Sequence, residues 1–295
     1  STKLVKSSVK TMVLRSGYCF SPFSMVPEFL TLRSKNRGER DPLIIAGGPC
    51  ATGNPEPLAD FIDLFVVGDA EPALPELVDL TTKARRPRTH LEDFLDIEGL
   101  YIPSLNQDSA RRAWTKDLDA AFHPIREIVP HVTGKTELCP VFGETFLAEA
   151  TRGCGHGCRF CYVGYTCRPF RERTDRKLEQ IIEEGTKLTG VDKVSLVGSA
   201  LSDHSHLVDI CSWVVRNAHL KLSLSSLRAD SASIELLRIL ADGGERTLTI
   251  APETGSQSLR ESLNKKITND DIIQAAENAH EAGLRNVKLF FMIGL

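Results

Sequence analysis

Cys154, Cys158 and Cys161 place three thiols within eight residues, in the run Glu149-Ala-Thr-Arg-Gly-Cys-Gly-His-Gly-Cys-Arg-Phe-Cys-Tyr162. Cysteine sulfur is the ligand that holds iron–sulfur cubanes. Three thiolates rather than four leave one iron open to a substrate or cofactor, a position that a pure electron carrier normally closes. Zinc is a competing reading. It usually pairs Cys-x2–4-Cys with a second pair further on, and here Cys167 or His156 could complete a set. A disulfide is another. It is disfavoured because the eight cysteines are scattered through 295 residues without a framework spacing, and nothing reads as a secretion signal. Cys19, Cys50, Cys139, Cys167 and Cys211 read as ordinary buried or partly buried thiols, with Cys167 the one to watch as an additional ligand. The cluster is the leading reading.

A loop that wraps a cluster must curl, and Gly153, Gly155 and Gly157 allow that at little steric cost. The apolar stretch Phe142–Ala150 predicts a strand leading in. Thr174-Asp175 predicts the start of a helix with Leu178, Ile181, Ile182 and Leu188 on one face. The cysteines therefore lie on a long loop after a strand and before a helix, the face on which α/β barrels place their chemistry. Further strands are expected at 193–197, 221–227, 246–251 and 286–293. Helices are expected at 206–217, from a Ser231 cap to Ala241, at 256–263, and from a Thr268 cap to Gly283. Five strands alternating with helices imply a parallel sheet with helices outside.

The pattern Cys154-x3-Cys158-x-Phe160-Cys161 on such a loop resembles the radical S-adenosylmethionine (SAM) superfamily, over roughly residues 140–295. The resemblance implies a partial (βα)6-type barrel, of which five strands are visible. It implies a [4Fe-4S] cluster on Cys154, Cys158 and Cys161, with SAM chelating the open iron. One electron would then cleave SAM to methionine and a 5′-deoxyadenosyl radical that takes a hydrogen from substrate. By the same resemblance Phe160 would lie near the adenine. The strand end Val197-Gly198-Ser199-Ala200 stands where the family has Gly-Gly-Glu; without that Glu, backbone carbonyls near Gly198 and Ser199 would receive the SAM amino group. Ser225 and Arg228 of Ser225-Ser-Leu-Arg228 match segments that contact SAM, and an Arg suits its carboxylate because it binds bidentately. Glu253 of Pro252-Glu253-Thr254-Gly255 would accept bonds from the ribose hydroxyls. The plainer reading pairs Arg228 with a nearby carboxylate and makes Glu253 a helix cap. The stretch Leu259–Thr268 matches a mostly architectural pattern, in which Lys265 could face the site. His204 and His206 read as exposed helix-start residues rather than metal ligands.

The N-terminal part reads as βαβα: strands at 43–49 and 61–67, a short helix at 54–60, and a helix from Pro75 to Leu80. It resembles the back half of the cobalamin-binding-like domain that precedes many radical SAM cores, a degenerate doubly wound α/β domain. The expected divisions are 1–80 for this domain, 81–139 for a basic linker and bridging strands, and 140–295 for the core. The signature Asp-x-His-x-x-Gly, whose His ligates cobalt, does not occur. Cobalamin is therefore possible but not expected, and Gly47, Gly48, Gly68 and Glu71 read as turn and helix-start residues.

The composition, 41% hydrophobic and 25% charged with net charge −3, fits a two-domain globular enzyme. No apolar run is long enough to span a membrane, and reduced cysteines imply a reducing, cytoplasmic compartment. Six arginines against two acids in 152–176 could meet RNA, or could serve the cluster and the SAM carboxylate. The substrate is left as RNA, peptide or small molecule, with a flavodoxin or ferredoxin as reductant. Two readings from other classes stay open: an iron–sulfur electron carrier without SAM chemistry, and a zinc-structured RNA-binding module. The start at Ser1 and the stop after the fifth strand suggest a piece of a longer protein.

Overall fold

The computed structural model describes residues 12–15, 32–84, 86–105, 110–129 and 143–294. Cys19, Cys139, Phe142 and most of the apolar segment 20–32 lie outside these. The chain forms two compact units, Ser1–Lys116 and Asp117–Leu295.

In the first unit β1 (Met12–Arg15), β2 (Ile44–Gly47) and β3 (Leu64–Val66) run parallel, and β4 (Leu100–Tyr101) adds antiparallel to β3. Ile44, Leu64 and Phe65 are fully buried, as expected for parallel strands covered on both faces. The first helix, α1 (Pro49–Gly53), starts directly after β2, because Pro49 fits the first helical turn. The expected helix over 54–60 is only a 3-10 turn at Glu56–Leu58. Helix α2 spans Leu74–Lys83, and β4 joins the same sheet, so residues 81–116 fold with this unit. At the start of β3 the buried Asp63 carboxylate takes the Arg37 guanidinium at 2.8 Å and the Ile44 N–H at 2.8 Å. Ser34 and Arg88 also donate to it, so a basic residue of the expected linker serves inside the unit.

The second unit holds β5 (Phe146–Glu149), β8 (Lys193–Val197), β9 (Lys221–Leu224), β10 (Thr247–Glu253) and β11 (Asn286–Phe291), all parallel and in chain order. A small antiparallel pair, β6 (Thr151–Arg152) and β7 (Arg171–Glu172), lies between the first two. The ladder is interrupted between β9 and β10, which are joined by the single bridge Leu227–Ile250, and the sheet does not close. The helices are α3 (Val163–Thr166), α4 (Asp175–Thr189), α5 (Leu207–Arg216), α6 (Ile234–Asp242), α7 (Gln257–Ser262) and α8 (Asn269–Glu281). Phe146, Val194, Leu196, Leu222 and Ile250 from the strands meet Leu178, Ile182, Ile210 and Leu237 from the helices in one core.

Most caps follow the sequence. Thr174 caps α4, and Thr268 with Asp271 forms a full capping box on α8. The α6 cap is Ser233, not Ser231, because Ala229–Ser231 first make a 3-10 turn. Leu188 is exposed rather than on the buried face of α4. That face instead carries Gly185, where a Cβ would lie 2.1 Å from the Phe146 ring, so α4 sits close on β5. The remaining edge of β5 is covered by side chains: the Leu147 N–H donates to Glu127 at 3.0 Å and the Glu149 N–H to His123 Nε2 at 3.0 Å.

Candidate cluster and cofactor site

The β6–β7 pair closes the base of the cysteine loop. Gly153 has φ +83°, and a Cβ there would lie 2.3 Å from the carbonyls of both Cys167 and Pro169. Gly157 has φ +66°, with the Arg168 guanidinium where its Cβ would be. Gly155 faces open space, so the curl rests on two of the three glycines. Cys158 is buried, while Cys154 and Cys161 are partly exposed. The Cys161 N–H donates to the Cys158 carbonyl at 3.0 Å.

Burial pushes the Cys158 thiol up; Lys265 and Arg228 pull it down, while Cys161 and Cys154 push it further up. The three thiols and two cations are thus within electrostatic reach of one another. Among the described residues no three of His, Cys, Asp and Glu converge as ligands of a single ion would. Three thiols on one loop, with cations beside the buried one, fit a cluster whose thiolates bring negative charge. Cys211 is a different thiol: fully buried on α5, it is pushed up to about 12 by desolvation and is inert.

A clasp from about a hundred residues downstream holds the loop. Between α7 and α8, Asn264 adopts φ +55°. Its Nδ2 donates to the carbonyls of His156 at 3.2 Å and Gly157 at 2.9 Å. The Arg159 N–H donates to the Leu263 carbonyl at 2.9 Å, and its guanidinium to the Ser262 carbonyl. Tyr165 adds a bond to the Gly157 carbonyl at 3.1 Å. Behind the clasp, Arg260 is fully buried and donates to Ile267 O at 2.8 Å, Thr254 O at 2.7 Å and the Asn269 side chain. The sequence reading singled out neither Asn264 nor Arg260. An Asn after a short helix is a signal for the left-handed conformation, but nothing local announces its partners.

Several expected cofactor residues gather here. Glu253 ends β10 after a register shift, with φ +67°, a strained conformation of the kind found at functional sites. Its carboxylate pairs with Lys265 at 2.9 Å, and Lys265 lies 5.9 Å from the centre of the Phe160 ring. Glu253 does not cap α7, because Ser256 does. Arg228 is held by Asp230 through two bonds, at 3.0 and 2.6 Å, and reaches the Lys266 carbonyl at 3.2 Å. The plain carboxylate pairing is therefore real, and a ligand carboxylate would share this guanidinium with Asp230.

The other expected contacts are placed less directly. Gly198 packs against the base of the loop: a Cβ there would lie 2.0 Å from Thr151 Oγ1, so packing alone requires the glycine. Ser199 is exposed in the turn after β8. Ser225 Oγ is buried with no hydrogen-bond partner among the described residues. It lines a cavity of about 80 Å³ at the gap between β9 and β10, beside Leu240 and Leu284. Where the family's Glu is missing, Asp203 from the same β8 loop grips His156 inside the cysteine loop, at 2.8 Å.

His204 is buried rather than exposed: its Nε2–H donates to the Arg173 carbonyl at 2.9 Å and its Nδ1 accepts the His206 N–H at 3.1 Å. Of the six arginines of 152–176, Arg171 and Arg173 are buried and Arg152 is partly buried. Arg152 pairs with Glu149 at 2.8 Å, and Arg159 sits in the clasp. Arg171 bonds the Pro169 and Cys167 carbonyls at 3.1 Å each, and Arg173 is fully buried against Glu149, Leu118 and Ala121. Arg159, Arg168 and Arg176 remain exposed.

In the first unit the loops after the parallel strands carry Gly47-Gly48-Pro49 and Gly68. A Cβ on Gly68, at φ +106°, would lie 2.0 Å from the Ala113 carbonyl. The Ala113 N–H donates to Val67 O at 3.0 Å and the Asp69 N–H to Ala113 O at 2.9 Å, so residues 112–115 cover the end of β3. His90, the sole histidine of this unit, follows Arg88, which binds Asp63 at the opposite end of the strands. The described residues at the sheet's ligand edge therefore offer cobalt no histidine.

Residues 149–295 match the family model described as Radical SAM superfamily, and residues 26–103 match Radical SAM proteins, N-terminal. An uncharacterized protein of Methanocaldococcus jannaschii is 34% identical over 264 residues, covering 90% of this chain and 54% of that protein. The chain spans about half the length of the curated relatives it matches. Among solved structures, the cobalamin-dependent SAM radical enzyme OxsB, with aqua-cobalamin and SAM bound, has a TM-score of 0.60 at 18% identity, covering 85% of this chain and 36% of that one. The radical SAM methyltransferase TsrM of Kitasatospora setae, with cobalamin and a [4Fe-4S] cluster bound, has a TM-score of 0.59 at 17% identity, covering 86% and 51%. Both likenesses are to cobalamin-containing proteins, so the expectation of an N-terminal domain that does not bind cobalamin is not borne out. Taken with the three-cysteine loop and the five parallel strands, the matches along most of its length show that this chain belongs to the radical SAM superfamily.

Proposed function

We propose that the chain binds a [4Fe-4S] cluster through Cys154, Cys158 and Cys161 and uses it to cleave SAM reductively, so that the radical produced modifies a substrate. The observation that supports this is the placement of three thiols on one loop, with Lys265 and Arg228 beside the buried one and the strand-end carboxylate Glu253 paired with Lys265. A cluster held there would supply the single electron for reductive cleavage of SAM to methionine and a 5′-deoxyadenosyl radical. The chain's own part is positioning. Asn264 and Arg159 hold the cysteine loop, Phe160 offers an apolar face to an adenine, Glu253 offers an acceptor to a ribose, and Arg228 offers a donor to a carboxylate.

Cobalamin is a candidate second cofactor of the whole protein, since OxsB and TsrM carry it. The described residues at the ends of the first unit's parallel strands, where Gly47, Gly48 and Gly68 lie, include no histidine. A flavodoxin or ferredoxin would suit the one-electron supply. Among the described residues no helix is long and apolar enough to cross a membrane.

The test is anaerobic reconstitution with iron and sulfide, followed by EPR of the reduced protein with and without SAM. A [4Fe-4S] signal that changes on adding SAM, with 5′-deoxyadenosine released, is expected. A signal indifferent to SAM would favour electron transfer alone. Stoichiometric zinc without iron would overturn the reading.

A further inference from the structure

Lys265 is placed with unusual care for a lysine. Its N–H donates to the Arg260 carbonyl at 2.8 Å and its own carbonyl accepts the Ile267 N–H at 2.8 Å, so a fully buried arginine fixes its backbone. On its other side Asn264 is tied to the cysteine loop through His156 and Gly157. The ammonium is directed to Glu253 at 2.9 Å, with side-chain exposures of only 11% and 12% for the pair. It lies 5.9 Å from the centre of the Phe160 ring, one residue from Cys161.

A largely desolvated ion pair is weak evidence of stabilisation, since an apolar pair of similar volume would avoid the desolvation cost. A cation held against a carboxylate, an aromatic face and a thiol-bearing loop has an electrostatic use. Charge near an iron–sulfur cluster is one of the determinants of its potential, and a poorly solvated cation acts with little screening.

We infer that Lys265 is a positioning cation of this centre: held by Glu253 beside the Phe160 ring, it offsets the thiolate charge gathered at Cys154, Cys158 and Cys161 and eases the addition of one electron there. The inference rests on the reading of the three cysteines as cluster ligands. The electron comes from an external one-electron donor, dithionite in the assay, and takes the cluster from the 2+ to the 1+ state.

The experiment is a redox titration of the reconstituted protein without SAM, followed by EPR, on wild type, Lys265→Gln, Lys265→Arg and Glu253→Gln. Lys265→Gln is expected to lower the equilibrium constant for reduction about tenfold, a shift of about 59 mV to more negative potential. Lys265→Arg is expected to restore the wild-type value. Glu253→Gln leaves the cation uncompensated and is expected to shift the potential the other way. A merely structural ion pair predicts that Lys265→Gln and Glu253→Gln act alike. Shifts of the same sign, or no shift in either variant at wild-type iron content, would overturn the inference and leave the cluster reading intact. A wild-type chain that takes up no iron and sulfide would overturn both.

Discussion

Removing the Asn264 side chain should loosen the cysteine loop by an amount that the structure lets one work out. Asn264→Ala deletes two donors, to the carbonyls of His156 at 3.2 Å and Gly157 at 2.9 Å. A net contribution of about 1 kcal/mol for each bond gives about 2 kcal/mol. The Gly157 carbonyl keeps Tyr165, which limits the loss there. Asn264 also sits at φ +55°, where an Ala costs about 1–2 kcal/mol that a Gly does not. Asn264→Ala should therefore destabilise the clasp by about 3–4 kcal/mol and Asn264→Gly by about 2 kcal/mol. Limited trypsin digestion reads the local opening directly, because Arg159 lies in the clasped loop. Where opening is fast relative to cleavage, about 2 kcal/mol corresponds to about a 30-fold rise in cleavage after Arg159. Mass spectrometry of early digests separates that site from the others. Cleavage after Arg159 at the wild-type rate in Asn264→Gly would refute the clasp. Equal rates in the Ala and Gly variants would refute the contribution of the left-handed backbone.

Three further outcomes follow from the geometry. Gly198→Ala forces a Cβ to within 2.0 Å of Thr151 Oγ1; a loss of about 1–3 kcal/mol is expected from overpacking, read as a lower urea midpoint. Arg260→Met strands the carbonyls of Thr254 and Ile267 and the Asn269 side chain. It should cost about 3 kcal/mol or more and weaken SAM binding in equilibrium dialysis through Glu253 and Lys265. His123 titrates below its ordinary value, first through burial and then through Arg173. The unfolded chain therefore binds its proton more readily, and its share of the stability is present above about pH 6.5 and is lost as pH falls toward the folded value. Thermal unfolding between pH 7 and pH 5 should show a smaller drop in His123→Gln than in wild type, and an unchanged drop would refute this.

The parallel order of the core strands was legible because each is a short apolar run punctuated by Gly, Asp or a capping Ser or Thr. Thr174 and Thr268 could be named as caps from local pattern alone. Ser231 could not be told from Ser233, since both precede the same apolar run and only the 3-10 turn at 229–231 separates them. The three cysteines were legible because their chemistry is local. The clasp was not, because Asn264 and Gly157 lie 107 residues apart and a hydrogen bond between loops leaves no periodicity in either. Gly153 and Gly198 were noticed for curl and ligand approach, and the structure adds a second requirement that no sequence pattern shows, crowding from the Cys167 and Pro169 carbonyls and from Thr151. The arginine run shows the limit of counting charge, since Arg171 and Arg173 are buried and bonded to carbonyls.

The interruption between β9 and β10 has a mechanical consequence. The strands β5, β8 and β9 form one block and β10 with β11 another, and the sheet crosses between them on the Leu227 N–H to Thr249 carbonyl bond at 3.0 Å. The cysteines travel with the first block and Glu253 with the second. Parting the blocks at this point breaks about one rung rather than a full ladder, so fluctuation should concentrate there, with amide exchange at Leu227 faster than at Leu196 or Leu222. The clasp is a further tie across this gap: it bonds the cysteine loop of the first block to residues 263–264, which follow the second block's β10, and so holds that loop against the segment that carries Lys265, the partner of Glu253.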